Sequence, residues 1–130
     1  DFTLPDSPLG RPVVVEGAGG VLVPLNGRDR MADLMVRLAL PVVVVARTTL
    51  GTINHTLLTL EALRHRKLDV AGVILSGLPN GVNREAIERF GQVAILAEIP
   101  WLAPLTPEAL ADIAPRDEQT WESFQKGLSP

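Results

Sequence analysis

The sequence predicts an α/β layer fold, a mainly parallel sheet flanked by helices, and three observations carry that expectation. Short β-branched runs alternate with segments of helical periodicity along the chain. One run, Val42 to Val45, is four valines in a row, the composition of a strand buried on both faces of a parallel sheet. The strand-like runs also end in small or polar residues, at Glu16-Gly17, Ala46-Arg47 and Ser76-Gly77, and in a parallel sheet such ends share one edge, where ligands bind.

Residues 1–12 hold Pro5, Pro8, Gly10 and Pro12 and read as an irregular lead-in. Val13 to Glu16 is a short apolar strand, and Gly17-Ala18-Gly19-Gly20 is a turn so poor in side chains that its backbone must be what is used. Val21 to Leu25 is a second extended piece. Arg30 to Ala39 places Met31, Leu34, Met35 and Leu38 at helical spacing, with Asp29 as the cap and Pro41 as the stop. The valine strand, 42–46, is followed by a polar turn, Arg47 to Thr52, and by a helix over 53–66 with Ile53, Leu57, Leu60 and Leu63 on one face. Val70 to Ser76 is the next strand. Asn83 caps a helix over 84–90, and Val93 to Ile99 is a strand closed by Pro100. Thr106, Pro107 and Glu108 combine a cap, a first-position proline and a first-turn acid, so a helix starts there. A last amphipathic segment, Glu118 to Lys126, carries Trp121 and Phe124 within the tail 115–130. No linker divides the chain, so 1–130 is expected to be one α/β domain.

Composition excludes several functions. The 130 residues carry a net charge of −3, against a general nucleic-acid binder. With no cysteine, disulfides, thiolate metal sites and cysteine nucleophiles are ruled out for this sequence. No apolar run approaches the ~20 residues of a bilayer span, and no signal peptide is visible, so a cytoplasmic protein is expected, with no membrane partner. The first residue is Asp1, which points to processing or to a piece of something longer.

Three places could carry chemistry. Glu16-Gly17-Ala18-Gly19-Gly20 offers a carboxylate for Mg²⁺ and a backbone that phosphate oxygens can approach; the alternative is a tight turn beside a solvated glutamate. Leu50-Gly51-Thr52-Ile53-Asn54-His55 is a helix start able to hold an anion; by spacing alone, Thr52 acting as a plain cap accounts for it better. His55 is not assigned a catalytic role. Ser76-Gly77 and Pro100-Trp101-Leu102 form the third, where Trp101 could stack on a base, although a core role is favoured because aromatics are only 4% of the chain. There is no Gly-x-Ser-x-Gly elbow and no Gly-x-x-x-x-Gly-Lys-Ser/Thr loop, and no complete catalytic set.

Taken in order, Val14 to Gly20, Val23-Pro24-Leu25, Ala46 to Thr59 (ARTTLGTINHTLLT), Gly72-Val73-Ile74 and Glu98 to Leu102 (EIPWL) resemble the carboxyl-terminal part of the dethiobiotin synthetases. The likeness covers about residues 13–110. It implies a three-layer fold like that of P-loop ATPases, incomplete here at its amino-terminal side, because the family's P-loop, its catalytic lysine and a second metal-binding aspartate lie upstream. The activity it implies is closure of the ureido ring of dethiobiotin from 7,8-diaminopelargonic acid and CO2, using ATP with Mg²⁺. A carbamate attacks the γ-phosphate, and the neighbouring amine captures the mixed anhydride.

By the same resemblance, Glu16 helps hold Mg²⁺ while it and Gly17, Ala18 and Gly19 follow the nucleotide phosphates. Leu50, Gly51, Thr52, Ile53 and Asn54 bind the substrate carboxylate across a homodimer interface. Pro100, Trp101 and Leu102 border the adenosine, with Ser76 and Gly77 at the base and Glu108 as a further nucleotide contact. Ser76 stands where many relatives have asparagine and cannot present a bidentate amide. No residue of this stretch is expected to be catalytic, since Lys67 and Lys126, the two lysines, stand at a helix end and in the tail. The piece alone is expected to be inactive. The rival expectations are a related ligase acting on another acid, and a non-catalytic dimerisation or regulatory module.

Overall fold

Parallel pairing of three β-branched runs, each followed by a helix or a turn leading to one, builds the centre of the molecule. The structure, a computed structural model, describes residues 13–113. In order these form α1 (Met31–Leu38), β1 (Val42–Arg47), α2 (Thr52–His65), β2 (Val70–Ser76), α3 (Gly81–Gly91), β3 (Ile95–Ile99) and α4 (Pro107–Ile113). The strands lie in the order β1-β2-β3 and both pairs are parallel. Arg47 is opposite Ser76, and Ser76 opposite Ile99, so all three strands end at one level. The lead-in and the segment with Trp121 and Phe124 lie outside the described residues.

Alternation along the strands decides the core. Ala46, Val73 and Leu75 point to one face and are buried with Leu60 of α2 and Ile87 of α3. Burying a leucine of this kind stabilises the fold by about 1.5–3 kcal/mol. Gly91 lets α3 come close to α2, because a Cβ there would stand 2.9 Å from Leu60 Cδ1. The other face is not covered in the same way, and Val45 is 68% exposed. The expectation that β1 is buried on both faces is therefore corrected: β1 is an edge strand among the described residues, and its valines meet helices on one side.

Val13 to Glu16 pairs with no strand among the described residues, and Val14 is 91% exposed. A strand is a ladder, and apolar composition without a neighbour does not make one. The predicted extended piece at Val21 to Leu25 serves instead as the cap of α1. Met31 and Ala32 donate to the carbonyls of Val23 and Val21 at 2.9 and 2.8 Å, which satisfies first-turn donors a helix otherwise leaves open. The residue at the cap position is Arg30, not Asp29, and Asp33 accepts from the Arg30 N–H at 2.7 Å. Asp29 is engaged elsewhere, pairing with Arg37 and accepting from Asn26 Nδ2. Asn80, rather than Asn83, caps α3, its Oδ1 accepting from the Asn83 N–H at 3.0 Å. Thr106 caps α4 as expected, its Oγ1 accepting from the Ala109 N–H at 3.2 Å.

Candidate functional site at the carboxyl edge of the sheet

The corner after β1 is built from the inside outward. Thr48 is buried below the turn, Leu50 stands fully exposed at its apex, and Gly51 closes it at φ 89°. That backbone is left-handed, which glycine adopts without a Cβ penalty. Gly51 occupies the cap position of α2, and no side chain caps the helix. Thr52 donates its N–H to the Thr49 carbonyl at 3.1 Å and is itself the first helical residue, buried against the fold. The reading of Thr52 as a plain cap is thereby corrected. The N–H groups of Ile53 and Asn54 have no protein acceptor among the described residues. A left-handed glycine followed by open helix donors presents positive potential outward, the arrangement that takes carboxylate or phosphate.

Beside the corner lies a hollow of about 170 Å³, bounded by the end of β1 and by Arg47, Thr49, Leu50, Thr52, His55 and Thr59. Hydroxyl groups and one guanidinium line much of it. His55 reaches the hollow but is itself exposed.

The ends of β2 and β3 are fastened to the same corner. Gly77 donates its N–H to the Ile99 carbonyl at 2.9 Å. It sits at φ 132°, and a Cβ there would be 2.5 Å from Thr48 Oγ1, so the corner and the end of β2 are in direct contact only because residue 77 has no side chain. Ser76 is exposed at the rim, with Pro100 and Trp101. Trp101 is 79% exposed, which overturns the favoured core reading for it. Leu102, in the same loop, is half-buried, and Glu108 is exposed in the first turn of α4.

The Gly-rich turn is held differently. Glu16, Ala18, Gly19 and Gly20 are exposed, and Gly17 is half-buried against Met31 of α1, where a Cβ would lie 2.9 Å from its Sδ. No hydrogen bond among the described residues joins Glu16–Gly20 to the sheet edge. The structure thus sets Thr48, at the base of the corner, against Gly77, and ties Gly77 to Ile99 just before the following loop. It does not join the Glu16 turn to them by any such bond. No group of three or more histidine, cysteine or acidic residues able to hold a metal occurs among the described residues.

Two residues of the edge were not singled out as site residues from sequence. Asn83 Nδ2 donates to the Thr48 carbonyl at 3.0 Å, and Arg84 pairs with Glu98 at the end of β3 and with Glu88. The hydrogen bond to Glu98 raises the Arg84 pKa above its ordinary value. An asparagine three residues after another asparagine was the available signal: one of the pair caps, which frees the other to reach across.

A parallel three-stranded sheet flanked by helices, with polar loops gathered at its carboxyl edge, is consistent with part of an α/β domain of the P-loop ATPase type. A family model described as "AAA domain" matches residues 4–109, and the chain belongs to that family. It is 56% identical over 105 residues to an ATP-dependent dethiobiotin synthetase BioD of Paramagnetospirillum magneticum, covering 81% of this chain and 51% of that protein. The match to the protein of the same name from Agrobacterium fabrum is 51% over 107 residues, 82% of this chain and 50% of that one. A biotin biosynthesis bifunctional protein BioCD of Bordetella avium is 56% identical over 109 residues, 84% of this chain and 23% of the other. The chain therefore spans about half the length of the synthetases it matches.

Proposed function

We propose that the protein containing this chain is an ATP-dependent dethiobiotin synthetase, converting 7,8-diaminopelargonic acid, CO2 and ATP into dethiobiotin, ADP and phosphate. The observation that carries the reading is 56% identity over 105 residues to a protein of that name. The geometry of the corner after β1 supports it from an independent direction, since an amino acid substrate with a carboxylate tail suits open helix donors at Ile53 and Asn54.

In this reading Leu50 to Asn54 take the substrate carboxylate. Gly51 lets the backbone come near, and the donors are fixed before the ligand arrives, so little ordering is needed on binding. Leu50, an apolar side chain with no cover, enters the site of a second copy of the chain, so the active form is a homodimer. Ser76, Gly77, Pro100, Trp101 and Leu102 border the adenosine of ATP, with Trp101 exposed and free to stack, and Glu108 follows on α4. Glu16 with Gly17, Ala18 and Gly19 lies along the phosphates.

Mg²⁺ fits this chemistry. Mg²⁺ commonly binds through one or two carboxylates plus phosphate oxygens and water, and Glu16 is an exposed carboxylate next to a turn that phosphates can approach. Bound there, the ion would neutralise charge on the phosphates. The chain's own contribution is positioning: its corner holds the acid end for the site of the second copy, while its other edge loops hold the nucleotide of its own site. No helix among the described residues is long and apolar enough to cross a membrane. An ATP-consuming step of this kind belongs in the cytoplasm.

The test is product formation by the full-length protein given diaminopelargonate, bicarbonate, ATP and Mg²⁺. Dethiobiotin, detected by mass, is expected together with equal ADP. ADP release with some other carboxylic acid and none with diaminopelargonate would replace this reading with that of a related ligase.

A further inference from the structure

No hydrogen bond among the described residues ties the Gly-rich turn to the sheet edge, yet the turn is wound onto the start of α1. The Gly20 carbonyl accepts the Val23 N–H at 3.0 Å, which closes the turn. The carbonyls of Val23 and Val21 then accept the N–H groups of Met31 and Ala32 at 2.9 and 2.8 Å. Ala32 is fully buried and Met31 is 9% exposed, so this helix start is anchored in the fold. At the other end of the turn the thioether of Met31 lies against Gly17. A Cβ on Gly17 would stand 2.9 Å from Met31 Sδ and 3.2 Å from both Met31 Cγ and Met31 Cε.

The two constrained glycines of the turn are glycine for different reasons. Gly19 has φ 81°, a left-handed backbone that an L side chain rarely adopts. Gly17 lies outside that region, so no backbone strain accounts for its identity, and what excludes a side chain there is Met31. The neighbour of Gly17 is Glu16, whose side chain is exposed and held by no hydrogen bond or ion pair among the described residues. The place of that carboxylate is therefore set by the backbone it hangs from.

We propose that Met31 is a positioning residue for Glu16: by filling the space under Gly17, it sets the height at which the carboxylate and the turn's backbone meet their ligand. The proposal rests on the reading that this turn takes Mg²⁺-ATP. Both residues belong to one copy of the chain, so the role does not depend on what a second copy supplies. An unbranched thioether suits the task, because it fills an irregular gap against bare backbone.

The experiment is titration calorimetry of the full-length protein with Mg²⁺-ATP, well below each variant's melting temperature. Met31→Ala empties the space under Gly17 and should weaken binding about three- to tenfold, at most the scale of one charged contact. Met31→Val, a smaller loss of volume, gives the same comparison should Met31→Ala fail to fold. Met31→Leu, close in volume, should stay within about twofold of the parent. Met35→Ala, at a half-buried methionine of the same helix, should lower the melting temperature and leave binding unchanged. Met31→Ala combined with Glu16→Gln should bind no worse than the weaker single variant, because without the charge its placement no longer matters. In Met31→Ala the amide resonances of Glu16 to Gly20 should shift while that of Leu75 in the sheet stays. Unshifted turn resonances, losses that add in the double variant, or binding no weaker than in Met35→Ala would each overturn the role of Met31 while Glu16→Gln still binds poorly. Parent-like binding by Glu16→Gln would instead remove the reading of the turn, and the role of Met31 with it.

Discussion

The corner Arg47–Thr52 and the turn Glu16–Gly20 are both expected to face anions, yet they are held in place by different means. The corner stands on buried threonines, touches the end of β2 at Gly77 and is tied to α3 through Asn83. The turn is exposed; Gly17 rests against Met31 of α1, and Gly19 and Gly20 against Val23. One site is shaped by the core beneath it, whereas the other is a backbone conformation with little packed under it. Substitutions below the corner should therefore change stability and site together. Substitutions at the turn should change ligand affinity while leaving the fold alone.

The largest contrast lies in the layer beneath each. Leu60→Ala removes a buried side chain shared by α2 and the sheet, and should cost about 2–5 kcal/mol in urea unfolding. Leu22→Ala, beside the turn and 48% exposed, should stay within about 0.5 kcal/mol. Equal losses would erase the distinction. The next contrast is at the glycines. Gly77→Ala forces a Cβ to 2.5 Å from Thr48 Oγ1 at φ 132°. It should cost about 1–3 kcal/mol and displace Thr48, visible as shifted amide resonances from Thr48 to Asn54. Gly20→Ala meets nothing within 4 Å, so its melting curve should overlay the parent's. The smallest effect on folding comes from Glu16→Gln, which should leave the melting temperature unchanged because the side chain is exposed. The same change should weaken Mg²⁺-ATP binding by titration calorimetry about tenfold, the scale of one charged contact. A drop in stability without a change in affinity would assign Glu16 to the fold instead.

What could be read from sequence follows the same division. β2 spans Val70–Ser76 as predicted, a continuous apolar run of strand length ending in small polar residues, and α2 starts one residue before the predicted helix, whose apolar residues recur at helical spacing. The turns at Gly17–Gly20 and between β1 and α2 were legible as turns, because glycine marks them, whereas by spacing alone the second read as a plain helix cap rather than an anion corner. The misreadings came where the partner decides. Val13 to Glu16 has strand composition but no ladder among the described residues, and Val21 to Leu25 is drawn into capping α1. Asn80 and Asn83 are chemically identical candidates for one cap, and composition could not assign them. Trp101 was placed in the core on scarcity of aromatics, a property of the whole chain that says nothing about one loop.

The cap of α1 has a consequence for the order of folding. Its bonds join Met31 to Val23 and Ala32 to Val21, whereas the β1–β2 ladder joins Val42 to Val70. Closing the shorter loop sacrifices less chain entropy, so the segment from Gly20 through α1 can organise before the sheet is assembled. Mutations in that cap should then alter refolding and unfolding rates differently from mutations in the Val73–Leu75 core. The Gly-rich turn would ride on an early local unit, waiting for a slower sheet to bring the remainder of its site alongside.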